Sequence, residues 1–487
     1  MSSAQDSDSP RADTSDITRV IESTDADAPN GMASFCIGCG SCAFIDPAYQ
    51  VLRNSDGCFQ AKQVKTTTSK NAGQACPFAA DSNENELGKS LFSETEGIAH
   101  NQYLGYYLAN YVGFVKAPGY RERGSSGGFV SWLASTMLEE GSVDAVIHVK
   151  DGPSPDQMYT YQISHTPEEV CQGAKSKYYP IEISHVLHYV SEHEGRYLFI
   201  GIPCFVKAIR LISQIDPIIK ERVIYCIGLV CGHLKSDFFA KSEAWESGIS
   251  PSSLRKVDFR YKLADSSADD YAVKIISTDP SQQPAIRRVS ELSTTNWGLG
   301  YFKYNACDFC DDVLAETADI TFGDAWLPKY SQDGLGSNVV VIRNPSLKNL
   351  FDRHHEELQL FESTPEEIYQ SQAGGFRHRR QGLQYRLHVK QQRGEWTPTK
   401  RVEPSVDGIS DRRQKVYAMR TKLKNESFVA YKEAVHADDF TAFKRHMAPI
   451  EKKYQQLSTP FKSRLKKWLI GLIPPSLKKA IKKALRT

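Results

Sequence analysis

Apolar runs bounded by glycine and proline mark the middle of this chain. Val143-Asp144-Ala145-Val146-Ile147-His148-Val149, Arg196-Tyr197-Leu198-Phe199-Ile200-Gly201 and Val223 through Cys231 read as buried strands. Near-continuous apolar strands are the mark of a parallel sheet covered on both faces. Between them the period changes. Phe129, Leu133 and Met137 recur at helical spacing, and Gly141 stops the helix. A second helix runs from Phe205 to about Ser213, behind Pro203. Strands alternating with helices predict an α/β architecture with parallel strands. Nearer the front, Tyr49-Gln50-Val51-Leu52 and Cys58-Phe59-Gln60-Ala61 flank Asn54-Ser55-Asp56-Gly57, a hairpin signal. Residues 350–460 read as mostly helical and charged.

These shifts divide the chain. Residues 1–30, rich in Ser, Asp and Ala, read as a disordered acidic leader. Residues 31–80 form a small cysteine-bearing domain, 81–102 a polar linker and 103–345 the mixed α/β domain. A helical extension follows over 346–460, then a tail over 461–487. The tail carries many lysines and arginines and no acid. Trp468, Leu469, Ile470, Leu472 and Ile473 precede Pro474-Pro475, and Leu477, Ala480, Ile481, Ala484 and Leu485 give a second amphipathic turn pattern. Such a segment fits peripheral contact with an anionic membrane surface, or a helix docked on the protein or a partner.

Composition narrows the class. With 40% hydrophobic and 24% charged residues and a net charge of +2, nothing points to nucleic acid. No apolar run has the length of a signal peptide or a membrane span. Eleven cysteines without a secretion signal indicate metal or redox chemistry rather than a disulfide framework. The expected location is cytoplasmic, with the tail as the only route to the inner face of the membrane.

The cysteines carry the sharpest pattern. Cys36-Ile37-Gly38-Cys39-Gly40-Ser41-Cys42 opens the iron–sulfur run C-x2-C-x2-C-x3-C-P, but Asp46 stands before Pro47 where the fourth cysteine would be. In two-cluster ferredoxins that fourth cysteine serves the other cluster. Its loss, with a later Cys76-Pro77, predicts one 4Fe-4S cluster on Cys36, Cys39, Cys42 and Cys76. This makes residues 31–80 a ferredoxin-like α+β domain. A zinc knuckle on four cysteines is the competing reading, and Cys58 in the second hairpin strand is the alternative to Cys76. Further on, Cys204 and Cys231 fall at carboxyl ends of expected parallel strands, where ligands of open α/β sheets collect. Cys307-Asp308-Phe309-Cys310 alone fits a zinc half-site, a redox pair or a cluster half-site; added to Cys204 and Cys231 it completes four thiolates, the number one further 4Fe-4S cluster needs. Cys226, inside its strand, reads as a packed thiol.

Two loops remain. Gly124-Ser125-Ser126-Gly127-Gly128, opening a helix, is either an ordinary turn or a phosphate site at a helix N-terminus. Gly173-Ala174-Lys175-Ser176-Lys177-Tyr178-Tyr179 is either a surface loop or a contact for an anionic, aromatic cofactor. His354, His355, His378, Arg379 and Arg380 read as solvated faces.

Taken together, Gly201-Ile202-Pro203-Cys204, Gly228-Leu229-Val230-Cys231, Cys307-Asp308-Phe309-Cys310, Ser126-Gly127-Gly128, Ser176-Lys177-Tyr178 and Ala318-Asp319-Ile320 followed by Gly323 resemble the coenzyme F-420 hydrogenase/dehydrogenase beta-subunit family of iron–sulfur flavoproteins, over roughly residues 106–345. The resemblance implies a mixed α/β domain binding FAD and a 4Fe-4S cluster. Cys204, Cys231, Cys307 and Cys310 would hold that cluster, and Ser126, Gly127, Gly128, Ser176, Lys177 and Tyr178 would lie near the flavin. It implies an oxidoreductase that takes electrons from a ferredoxin or similar carrier through two 4Fe-4S clusters to FAD. From there they pass to the deazaflavin coenzyme F-420 or a small-molecule substrate. Lys177, Tyr178 and His233 are the candidates for catalytic groups. The alternatives are an electron-transfer adaptor subunit and a redox protein of membrane-associated polysaccharide biosynthesis.

Overall fold

The structure is a computed structural model that describes residues 33–65, 71–79 and 83–459. The acidic leader and the basic tail therefore lie outside the described residues. An eight-stranded mixed sheet organises the rest. Its strands are Ala109–Val115 (β1), Ala145–Ser154 (β2), Gln157–Ser164 (β3), Tyr197–Gly201 (β4), Val223–Leu229 (β5), Ile320–Asp324 (β6), Asn338–Ile342 (β7) and Leu358–Glu362 (β8). The order across the sheet is β8-β1-β7-β6-β5-β4-β2-β3. The central four, β6, β5, β4 and β2, are parallel. The strands on either side are antiparallel. The parallel centre is the part the apolar runs announced. Every residue of β4 and of β7 is buried, as strands with cover on both faces require.

Helices cover the two faces and start where the sequence indicated. Phe129–Glu139 follows Gly128, and Pro203–Ile215 takes Pro203 in its first turn, the position that tolerates a missing N–H. The front segment is a hairpin, Tyr49–Arg53 against Phe59–Gln63, with short helices beside it. The segment does not stand apart. Phe35 meets Phe309 edge-on at 4.9 Å, Ile183 N–H donates to Cys39 O at 2.8 Å, and Phe59 N–H donates to the Tyr304 hydroxyl at 2.7 Å. Arg53 pairs with the buried Asp237. Residues 84–92, expected within a polar linker, form a helix whose Glu84 makes a buried ion pair with Lys207 at 2.8 Å. A buried ionic contact fixes a short polar segment that periodicity cannot reveal. The helical extension is present as Pro365–Ser371, Ala373–Arg379, Gln381–Gln392, Asp411–Ala437 and Phe440–Ser458.

One side chain ties sheet to helices. Asp319, just before β6, accepts from Cys226 N–H of β5 at 2.7 Å, from Arg210 Nη2 at 2.7 Å and from Asn344 Nδ2 at 3.1 Å. Arg210 lies on the helix that begins at Pro203 and carries Cys204. Replacing Asp319 with Ala strands a nearly buried guanidinium and an inner-strand N–H. We expect a loss of about 3–5 kcal/mol, read as a drop in the denaturation midpoint, and a smaller loss for Asp319→Asn.

Candidate functional site

Two groups of thiols meet on one apolar core, beside one large cavity. Cys39 and Cys310 belong to that cluster, with Cys76, Cys204 and Cys307 packed against it. All eleven cysteines are free thiols. The first group comes from the front segment. Cys36, Cys39, Cys42 and Cys76 line one small cavity with Ser41 and Phe78. The chain can curl there because Gly38 adopts φ +63°, and a Cβ on it would lie 2.4 Å from Phe59 O. Backbone N–H groups of Gly38 and Ala61 both donate to Cys36 Sγ at 3.3 Å. Cys58 is buried outside this cavity, beside Tyr304. Asp46, at the position of the missing cysteine, accepts from Ala48 N–H at 2.8 Å and so shapes a turn.

The second group sits at the carboxyl ends of β4 and β5. Cys231 and Cys307 line the large cavity, with Cys310 and Cys204 beside them. Leu234 N–H donates to Cys307 Sγ at 3.3 Å. Burial pushes the Cys307 thiol up to about 12 and the Cys310 thiol up to about 11. In the first group burial likewise moves Cys39 to about 11 and Cys76 to about 12. Dry thiols of this kind stay neutral until a cation replaces the proton. Among the described residues, no three His, Cys, Asp or Glu side chains converge as a single metal ion requires. The first group lines its small cavity together, and the second sends Cys231 and Cys307 to the wall of the large one.

Arg379 was expected on a solvated face. It is buried against the second thiol group. Nη1 donates to Cys310 Sγ at 3.0 Å and to Asp312 O, and Nη2 donates to Cys231 O at 2.8 Å and Gly232 O at 2.6 Å. Arg380 and His378 are also largely buried, with Arg380 donating to Asp311 O. His354 is held between Glu140 and Glu357, each at 2.8 Å, and His355 is exposed, as expected of outer faces. No local signal distinguishes Arg379. Its partners lie more than sixty residues away in sequence.

The large cavity holds about 650 Å³, within the usual range for small-molecule and cofactor sites. Both candidate loops reach it. Ser126 and Gly128 line the wall, whereas Gly127 packs on β7, where a Cβ would stand 2.7 Å from Asn338 Oδ1. Gly128 takes φ +87° and leaves the first turn of helix Phe129–Glu139 without a side-chain cap. Ser176 N–H donates to Ser125 Oγ at 2.8 Å and ties the loops together. Lys177 Nζ donates to Gly173 O, Ala174 O and Lys175 O, so its ammonium shapes the loop. Burial pushes it down to about 8. Burial pushes the Tyr178 phenol up, while Arg260, hydrogen-bonded to it, opposes the shift. Arg260 pairs with Asp324 at the end of β6 at 2.8 Å. Tyr178 meets Trp297 edge-on at 4.8 Å, and the His233 ring lies 4.6 Å beyond, also on Trp297. Arg260, Trp297 and Asp324 carry no motif in the sequence. Asp324 directly follows the Gly323 of the resemblance.

Two family models match the chain. One is coenzyme F-420 hydrogenase/dehydrogenase, beta subunit N-terminal part, over residues 110–188. The other is the C-terminal part of the same subunit, over residues 194–367. Together they cover just over half of the chain. An uncharacterized protein of Methanocaldococcus jannaschii is 24% identical over 231 residues, which is 47% of this chain and 78% of that one. A chain of the F-420-reducing nickel–iron hydrogenase complex from Methanosarcina barkeri aligns with a TM-score of 0.44 at 18% identity, over 58% of this chain and 92% of its own.

Arg379→Met would leave the carbonyls of Cys231, Gly232 and Asp312 without their donor. At roughly 1–3 kcal/mol for each unsatisfied buried group, we expect a loss of about 3 kcal/mol or more. Arg377→Met, on the exposed face of the same helix, should stay within about 0.5 kcal/mol. Denaturant midpoints of the two variants make the comparison.

Proposed function

The chain belongs to the coenzyme F-420 hydrogenase/dehydrogenase beta-subunit family, and on that premise we propose that it is an iron–sulfur flavoprotein oxidoreductase with two 4Fe-4S clusters and one FAD. The clusters would supply one-electron steps, and the flavin would join them to a two-electron hydride step. Cys36, Cys39, Cys42 and Cys76 would hold one cluster, and Cys204, Cys231, Cys307 and Cys310 the other. The chemistry of the donors supports this reading. N–H groups aimed at Cys36 and Cys307 favour thiolate over thiol. Arg379 adds a full positive charge beside Cys310. Cys226, by contrast, is wholly buried within its strand and reads as a packed thiol.

The flavin region we assign to Ser126, Gly127, Gly128, Ser176, Lys177 and Tyr178. The uncapped helix N-terminus at Gly128 suits a phosphate, and Tyr178 with Trp297 offers an aromatic wall. Lys177 acts by holding the loop backbone, and the charge nearest Tyr178 comes from Arg260. Tyr178 is the protonated hydroxyl on that wall and the candidate for holding a proton near the reacting centre. The observation that carries the reading is that Cys39 of the first group and Cys310 of the second stand in one core, with Cys76, Cys204 and Cys307 packed against it, and that Cys231 and Cys307 open on the cavity. Cys39 lies in the core that Cys204 packs against, so the two groups are neighbours. An electron entering at the front segment thus has a short way inward. A cavity of this size favours an enzyme with its own substrate over a closed adaptor. A ferredoxin-type carrier is the electron partner that the exposed front segment suits, and coenzyme F-420 or another small organic molecule is the substrate.

Anaerobic purification with iron, sulfide and flavin analysis tests the proposal. We expect about eight irons and one FAD per chain, with Cys39→Ala and Cys307→Ala each removing about half the iron. Zinc in place of iron, or half the iron in the unaltered protein, would remove one of the two sites.

A further inference from the structure

The inner end of the large cavity gathers positive charge that neither the thiols nor the two loops use. Eight cationic side chains line the whole cavity against two carboxylates, Asp308 and Asp324. Asp324 answers Arg260 at the end of β6. Arg379 stands on the second thiol group, and Lys175 and Lys177 sit in their loop. That leaves Lys235, Lys303, Arg386 and Arg420 on the wall. Asp308 alone faces them, already shared by Lys303, Lys424 and Arg386.

Lys235 and Arg420 are the telling pair. Lys235 is 1% exposed. Its ammonium donates to Tyr301 O at 2.6 Å and lies over the rings of Phe239 and Trp297, at 4.4 and 4.9 Å. Arg420 donates to Gly298 O and, at 3.4 Å, to the Tyr454 hydroxyl. Among the described residues neither forms an ion pair with a carboxylate. The acid nearest in effect to Lys235 is Glu243, itself buried and outside the cavity wall, with its carboxyl pushed up by burial. His233, 8% exposed and on the same wall, has an Nε2 with no hydrogen-bond partner, and so has His378 at Nδ1. Buried charges and polar atoms persist in native proteins where something satisfies them.

We propose that this inner end is a subsite for a small organic anion, whose carboxylate or phosphate group lies between Lys235 and Arg420 and accepts from His233 Nε2, with the body of the molecule against Trp297. The assignment rests on reading the cavity as the active site of a redox enzyme. It goes further by naming the charge of the substrate and the residues that select it. Of those residues Lys235, His233 and Trp297 lie within the matched span and Arg420 lies beyond residue 367, where the family match ends, as do Arg386 and His378 on the same wall, so the extension completes the anion subsite of the α/β core.

Benzoate, phenyl phosphate and neutral benzamide separate charge from shape. Calorimetric titration of the anaerobically purified, cofactor-loaded protein should show both anions binding at least about ten-fold more tightly than benzamide. Lys235→Met and Arg420→Gln should each weaken the anions by about ten-fold or more and leave benzamide unchanged. Lys220→Met, on an exposed helix, should change nothing. Equal binding of benzoate and benzamide by the unaltered protein overturns the subsite, and so does unchanged anion affinity in both variants. The first comparison needs no variant, so a failure of Arg420→Gln to fold does not protect the proposal. Iron and flavin analysis of the same preparation keeps the two ideas apart. Anion preference without cofactors sinks the redox reading alone, and cofactors without anion preference sink the subsite alone.

Discussion

Eight thiols sit buried or half-buried in largely apolar surroundings, and much of the architecture answers that one constraint. A thiol in apolar surroundings resists ionisation, which is why burial heads the causes that raise Cys39, Cys76, Cys307 and Cys310. Something must make a thiolate tolerable there. The protein supplies backbone N–H groups at Cys36 and Cys307 and a guanidinium at Cys310. Each device demands that distant segments be held in register. The hairpin must bring Ala61 to Cys36, and the loop after β5 must bring Leu234 to Cys307. The extension must bring Arg379 across the gap between Cys231 and Cys310. The turn at Gly38 and the clamp at Asp319 serve the same end from below.

The parts that look separable along the chain are therefore bound to one another. The front segment reads as a domain of its own, yet it shares a core with the sheet and reaches Asp237, Tyr304 and Phe309. Lys432, in helix Asp411–Ala437, pairs with Asp56 in the front hairpin. The extension thus touches both thiol groups' surroundings, with Arg379 and Lys432 lying beyond the matched family span.

What the sequence revealed and what it hid follow from the range of the forces involved. The strands β4 and β5 were legible because buried parallel strands are short apolar runs, and the cysteines at their ends stand out against them. The hairpin was legible because its turn has its own chemistry in Asn54 to Gly57. The grouping of Cys36, Cys39, Cys42 and Cys76 could be read from spacing. Arg379, Arg260 and Trp297 could not, because each matters only through partners brought near by the fold. The same reason hid the helix Glu84–Phe92, whose anchors are the buried ion pair to Lys207 and the burial of Leu87 and Phe92. The antiparallel strands that widen the sheet on both sides were invisible too, since pairing order leaves no local trace.

A ribosome makes this molecule from the front, and that order has a consequence for the cavity. By residue 310 all eight cysteines of the two groups exist, and by residue 362 the sheet is complete. Arg379, Arg386 and Arg420 are still to come, and so is the long helix Asp411–Ala437. For that interval of synthesis the nascent core is missing one wall. Anything bulky that belongs inside has its widest doorway then, before the last helices dock and the door becomes part of the room.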